Sequence, residues 1–271
     1  MILRWLRWLI VVLLIIGIPV FVYFGFLADE PAFDVEYDVE LGRQHAESIA
    51  ADTTMVLLDK EEYPEAYAHL QRIVDEVVRS DSIRYRDLFA YDDVRIIRDD
   101  ETLNAFCAPG GFIYVYSGLI KYLEAEDHLA GVLGHEIAHA ELRHSSLRLQ
   151  REYCRQRLLD LILLSQPLSN AAFASILNQL NTLSYSRDQE AMSDRMSVRY
   201  LAGSRYACSG VGGFFERLQR EGDGADIPPM LSDHPDDVSR IRDIRAEAER
   251  MGCSTELSGN ASWTAFQASL P

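Results

Sequence analysis

The chain is 271 residues long, 48% hydrophobic and acidic, with 42 Asp and Glu against 26 Lys and Arg and a net charge of −16. A surface of that sign repels nucleic acid and anionic lipid headgroups, so no nucleic-acid partner is expected. The four cysteines, Cys107, Cys154, Cys208 and Cys253, show no C-x-x-C spacing, and no thiolate zinc site is indicated.

From Trp8 to Leu27 run 20 residues without a charge. As a helix rising 1.5 Å per residue they would span about 30 Å, one bilayer core. Arg4 and Arg7 precede this run, while Asp29, Glu30, Asp34, Glu36 and Asp38 follow it. The asymmetry predicts a cytoplasmic N-terminus, with the remaining chain on the other side of the membrane. A cleaved signal peptide has a similar apolar core, but Phe24-Gly25-Phe26-Leu27 offers no small-x-small site. Residues 1–27 are therefore read as one uncleaved transmembrane helix. They hold two of the 26 basic residues and none of the acids, which leaves 24 against 42 and a net charge of −18 beyond them.

Residues 28–60 are expected to form a juxtamembrane linker and a helix over 41–59. Another helix is predicted over 63–79, with Pro64 in its first turn. Short strands follow at 93–98, 103–107 and 111–116, where β-branched and aromatic residues concentrate, and Pro109-Gly110-Gly111 turns between the last two. Helices are then predicted over 126–144, 146–164, 169–183, 185–202, 211–220 and 236–250, around a loop at 222–229. The tail, 253–271, is polar and expected to be loosely held. The fold class is α+β, mostly helical, with a small β-sheet in a domain at 61–252. In an oxidising compartment the even cysteine count permits a disulfide, for which Cys208 with Cys253 is the favoured pair. The alternative is that they are small buried hydrophobes.

Within the 126–144 helix stands His135-Glu136-Ile137-Ala138-His139. Two imidazoles one turn apart with a carboxylate between them suit a catalytic zinc. At about 100° per residue the three polar side chains share one face, while Leu129, Leu133, Ile137 and Ala140 line the other. His128 is in phase with the ligands, but one heptad ahead at about 10 Å it lies too far to share the metal and could only line a cleft. His144 points nearly opposite the ligands, which makes it structural. A third ligand is needed, and Glu190 is the candidate, with Asp194 one turn on to accept a ligand histidine's ring N–H. From composition alone, exposed acids pairing with Arg187 or Arg195 is the better reading of that pair.

Four segments together resemble the M48 family of zinc metallopeptidases, the HtpX-, Ste24- and BepA-like proteases. They are Asn104-Ala105-Phe106 with Pro109 to Val115, His135 to His139 with Arg143-His144, Ser186-Arg187 with Glu190 and Asp194, and Ser232-Asp233-His234-Pro235 with Arg240-Ile241. Met192, Ser193 and Cys208 depart from the family pattern without touching a proposed ligand. The resemblance implies a zincin-like domain in a single-pass form of the family, with one Zn2+ on His135, His139 and Glu190 and with Asp194 behind a ligand. Glu136 would be the general base. His234 would be an oxyanion donor or a latent-state ligand. Asn104, Ala105 and Phe106 would offer a strand edge to extended polypeptide substrates. The implied activity is zinc-dependent endopeptidase action on misfolded envelope proteins. A dedicated processing protease, or a chaperone-like zinc-binding module with little turnover, are the alternatives. Oligomeric state is not read from the sequence.

Overall fold

The computed structural model describes residues 2–162, 184–221, 239–259 and 261–271. The chain divides into two compact units, residues 1–34 with 145–180, and residues 35–144 with 181–271.

In the first unit the N-terminal segment is helical from Ile2 to Leu27, yet it is not one α-helix. Helix α1 (Ile2–Val12) gives way to a π-helical turn at Leu13–Gly17, and α2 (Ile18–Val22) to a second at Tyr23–Leu27. Pro19 has no N–H, so the carbonyl one turn before it lacks its usual donor, and a π-turn is one way for a helix to absorb that gap. Among the described residues no helix is long and apolar enough to cross a membrane. The single spanning helix expected over residues 1–27 is thus replaced by four shorter helical pieces.

The second unit opens with α3 (Glu36–Ala51) and α4 (Pro64–Val78). Helix α3 starts well before the predicted residue 41, because Glu36 and Asp38 suit the positive end of the helix dipole rather than a linker. It stops at Asp52, whose Oδ1 accepts the Thr54 N–H at 2.8 Å. Strands β1 (Arg95–Ile97), β2 (Ala105–Ala108) and β3 (Phe112–Tyr116) form one sheet in the order β1-β3-β2. Strand β1 runs parallel to β3, and β2 antiparallel to it with Phe106 opposite Tyr114. The Tyr116 N–H donates to the Asn104 carbonyl at 3.1 Å, so by alternation Ala105 and Cys107 turn their backbone groups away from β3. Among the described residues strand β2 is an edge.

Next come α5 (Ser117–Tyr122) and α6 (Glu126–Glu141), and every residue of α6 is buried. Helix α7 (His144–Ile162) belongs to the first unit over nearly its whole length. There the Arg151 guanidinium donates to the Ala28 carbonyl at 2.9 Å. Helices α8 (Arg187–Leu201), α9 (Gly210–Glu221), α10 (Ser239–Met251) and α11 (Ala261–Ala268) complete the second unit. Ser186 and Gln189 form a reciprocal capping box that starts α8. The helix predicted over 169–183 lies outside the described residues.

Helix α6 is the axis of the core. Leu129, Leu133 and Ile137 meet Leu70, Ile73 and Val77 of α4, Val198 and Leu201 of α8, and Phe214 of α9 in one cluster. A Cβ on Gly131 would fall 1.9 Å from the Val211 nitrogen, so glycine is what lets α6 and α9 approach. Enclosure on every side is more than the one-sided burial expected from its apolar stripe.

The tail also departs from expectation. Trp263 and Phe266 of α11 are buried, and the Trp263 indole donates to the Leu123 carbonyl at 3.0 Å. Cys208 and Cys253 form a disulfide, as paired from the sequence, while Cys107 and Cys154 remain free thiols.

Candidate metal centre

Helix α6 presents His135, Glu136 and His139, and α8 presents Glu190 and Asp194 one turn apart. All five side chains are buried. The His135 Nε2 lies 3.0 Å from the His139 Nε2 and 3.3 Å from the Glu190 Oε2. The His139 Nε2 lies 3.5 Å from the Glu190 Oε1. A tetrahedral ion with bonds of about 2.0–2.2 Å holds its donors roughly 3.3–3.6 Å apart; both imidazole–carboxylate separations fall in that range and the imidazole–imidazole one is slightly shorter, so the three side chains are placed to share one ion. Among the described residues this is the one group of His, Cys, Asp and Glu side chains placed to hold a metal.

Charge points the same way. Three buried carboxylates, Glu136, Glu190 and Asp194, surround a site that receives one guanidinium, that of Arg240. Among the described residues the carboxylates at the centre outnumber its guanidinium groups, an excess of negative charge that a divalent cation suits. His135 registers that demand. Burial alone would lower its pKa, but hydrogen bonds to Asp194 and Glu190 and their charges outweigh it, and the ring is pushed up to about 9. The residues present fit a divalent metal.

Both ligand rings are held from behind. The His135 Nδ1 is 2.8 Å from the Asp194 Oδ1, which orients its Nε2 toward the shared point. Arg240 donates to both Asp194 oxygens at 2.8 Å and lies 3.1 Å from the Glu190 Oε2, with its own plane 4.3 Å from the Phe215 ring centre. Burial pushes Asp194 up, yet the charge and hydrogen bonds of Arg240, with His135, hold it below the ordinary value. The Tyr185 ring stacks on His139 at 3.8 Å.

The structure therefore brings together His135, Glu136, His139, Glu190 and Asp194. Asn104, Ala105 and Phe106 sit at the start of β2 with buried side chains, Phe106 stacked on Tyr114 at 4.7 Å in a small cluster with Ile49 and Ile97. Of the three, only Ala105 turns its main chain away from β3, because Asn104 and Phe106 are the positions bonded to it. His234 lies outside the described residues. His128 does not line the centre, because it packs on α9, where a Cβ at Gly213 would fall 2.3 Å from its ring. Sequence reasoning missed three residues. Arg240 was visible only as part of the late motif, Tyr185 only as the first residue of the helix predicted over 185–202, and His144 was assigned to the side of the helix away from the ligands.

The sequence comparisons accord with this geometry. The description "Peptidase family M48" matches residues 64–248. A putative beta-barrel assembly-enhancing protease of Vibrio cholerae is 30% identical over 227 residues, 74% of this chain and 46% of that protein. The mitochondrial metalloendopeptidase OMA1 of Schizosaccharomyces pombe is 31% identical over 153 residues, covering 56% and 45%. The metalloprotease YcaL of Escherichia coli is 31% identical over 147 residues, covering 53% and 57%. The chain thus spans about half the length of these relatives.

Proposed function

Because the chain belongs to peptidase family M48, we propose that it is a zinc-dependent endopeptidase acting on unfolded or misfolded proteins of the cell envelope. One observation carries this reading, the convergence of His135, His139 and Glu190 with Glu136 beside them on the same helix. Two imidazoles and one carboxylate leave a tetrahedral position open, the ligand pattern of catalytic rather than structural zinc. Zinc bound there would supply Lewis acidity, easing deprotonation of water and polarising a peptide carbonyl.

Glu136 is assigned as the proton carrier. It takes a proton from the attacking water and delivers it to the departing amine, a role its buried carboxylate suits because it need not also hold the metal. Asp194 and Arg240 fix the His135 ring and the Glu190 carboxylate. His234 is assigned the oxyanion-donor role on its Ser232-Asp233-His234-Pro235 motif. The outward main chain of Ala105 and Cys107 is assigned to pairing with an extended substrate, which reads backbone more than side chain and suits unfolded polypeptide. The name of the Vibrio relative refers to barrel assembly, and that supports an envelope substrate class here. A binding module that seldom cleaves is not favoured, since both the ligand set and the base are present.

The test is cleavage of unfolded casein by the full chain in detergent. Glu136→Gln should lower turnover by about 10²–10⁴-fold while zinc stays bound. Undiminished cleavage by that variant would remove Glu136 from the mechanism.

We also propose that residues 1–27 tether the protein to the inner membrane with the catalytic unit in the periplasm. Supporting this, Trp5, Trp8, Leu9, Ile15, Ile16 and Leu27 are exposed, and the Cys208–Cys253 disulfide suits an oxidising compartment. The full chain should stay with membranes through an alkaline wash, and deletion of residues 1–27 should release it. Retention without that segment would refute the tether.

A further inference from the structure

We propose that His144 is a positioning residue that fixes the ring of His139, and that the break between α6 and α7 is what brings it there. On an unbroken helix a residue five places after His139 would point about 140° away from it. Instead α6 ends at Glu141 and Arg143 adopts φ 56°, alone among the described non-glycine residues in having a positive φ. At this break the His144 Nδ1 comes to 2.9 Å from the His139 Nδ1, both rings buried.

The corner is clamped on both sides of the turn. The Glu141 carboxylate accepts the Arg84 N–H at 2.8 Å, the Tyr85 N–H at 3.2 Å and the Tyr91 hydroxyl at 2.8 Å. Arg143 donates from Nε and Nη2 to the buried Asp38 carboxylate of α3, at 2.6 and 3.1 Å. A left-handed arginine costs of the order of 1 kcal/mol, and the paired, two-point salt bridge holds it in place.

The chemistry of the contact follows from which nitrogens are already committed. The His139 Nε2 faces His135 and Glu190, so on the metal reading, on which this inference rests, its proton resides on Nδ1. Two facing Nδ1 atoms make one hydrogen bond only if one donates and the other accepts. His139 therefore donates and His144 accepts. His144 thus does for the second ligand ring what Asp194 does for the first, with a neutral acceptor in place of a carboxylate.

The test compares the full-length protein in detergent with His144→Leu and His144→Asn. Zinc affinity is measured by competition with a chromophoric chelator, and thermal unfolding is followed on the zinc-free proteins. An asparagine Oδ1 stands near the place of the imidazole Nδ1 and can accept, whereas leucine fills the space without accepting. Leucine should weaken zinc binding by about 10–100-fold, asparagine should retain most of it, and the zinc-free melting temperatures should agree. Leucine binding zinc as tightly as wild type would overturn the inference. So would equal losses in both variants, or losses that simply track zinc-free stability, since those describe a packing residue. A wild-type chain that binds no zinc would instead sink the metal reading, and the inference with it.

Discussion

Asp194 works on two neighbours at once, accepting from the His135 ring and from two nitrogens of Arg240. On the proposed metal reading its carboxylate orients a ligand ring and also anchors the buried Arg240 guanidinium. Asp194→Asn keeps the shape but removes the charge and one of the two acceptors. Zinc affinity should fall by about 10–100-fold, and a chelator competition showing no change would exclude Asp194 from ligand orientation. At this scale His135, Glu136 and His139 were legible, because helical spacing alone puts them on one face. Glu190 and Asp194 were legible only by resemblance, since an acidic chain offers many such pairs. Arg240 and Tyr185 were not assigned a role, because contacts 46 residues apart in sequence leave no local periodicity.

Among the elements, α6 is held at its N-terminal end as well as at the His144 corner. The Glu126 carboxylate lies 3.0 Å from the His69 Nε2 and accepts the Tyr206 hydroxyl at 2.6 Å and the Ser262 hydroxyl at 2.8 Å. Asp127 beside it accepts the Ala207 and Ser258 N–H groups at 2.8 and 3.0 Å. The two acids thereby tie α6 to the tail that carries α11. Burial pushes Glu126 up, but the hydrogen bonds from His69, Tyr206 and Ser262 outweigh it and bring it down to about 2 from the ordinary 4.5. A carboxyl depressed in the folded state contributes stability that is complete above pH 4.5 and lost as pH falls from there toward 2. The melting temperature should therefore drop over that acid range, and Glu126→Gln should flatten the drop while lowering stability at neutral pH. An unchanged acid limb in the variant would show that Glu126 does not govern it. Sequence periodicity found most helices near their observed bounds. It missed α11 because Trp263 and Phe266 are too few to form a stripe, and the helix is held by bonds from Trp263 and Gln267 to the Leu123 carbonyl far up the chain.

For the whole molecule, the Cys208–Cys253 disulfide closes a stretch of 45 residues that contains α9 and α10. It thereby fastens the helix bearing Arg240 to the loop after α8, behind the metal centre. Reduction should cost about 2–4 kcal/mol by freeing the unfolded chain, read as a lower denaturation midpoint in reductant. An unchanged midpoint would make the bridge incidental to stability.

Composition, charge and the His135–His139 spacing by themselves determined the acidic, mostly helical class of the protein and the face on which its chemistry lies. Those features are local or summed, and a chain read in order displays them directly. What only the tertiary structure decided is how that face is completed. Glu190 is brought to the two imidazoles across a core, Arg240 to Asp194, and His144 back toward His139 around a left-handed arginine. Each of these depends on packing between segments distant in sequence or on a single backbone angle, and neither has a periodic signature.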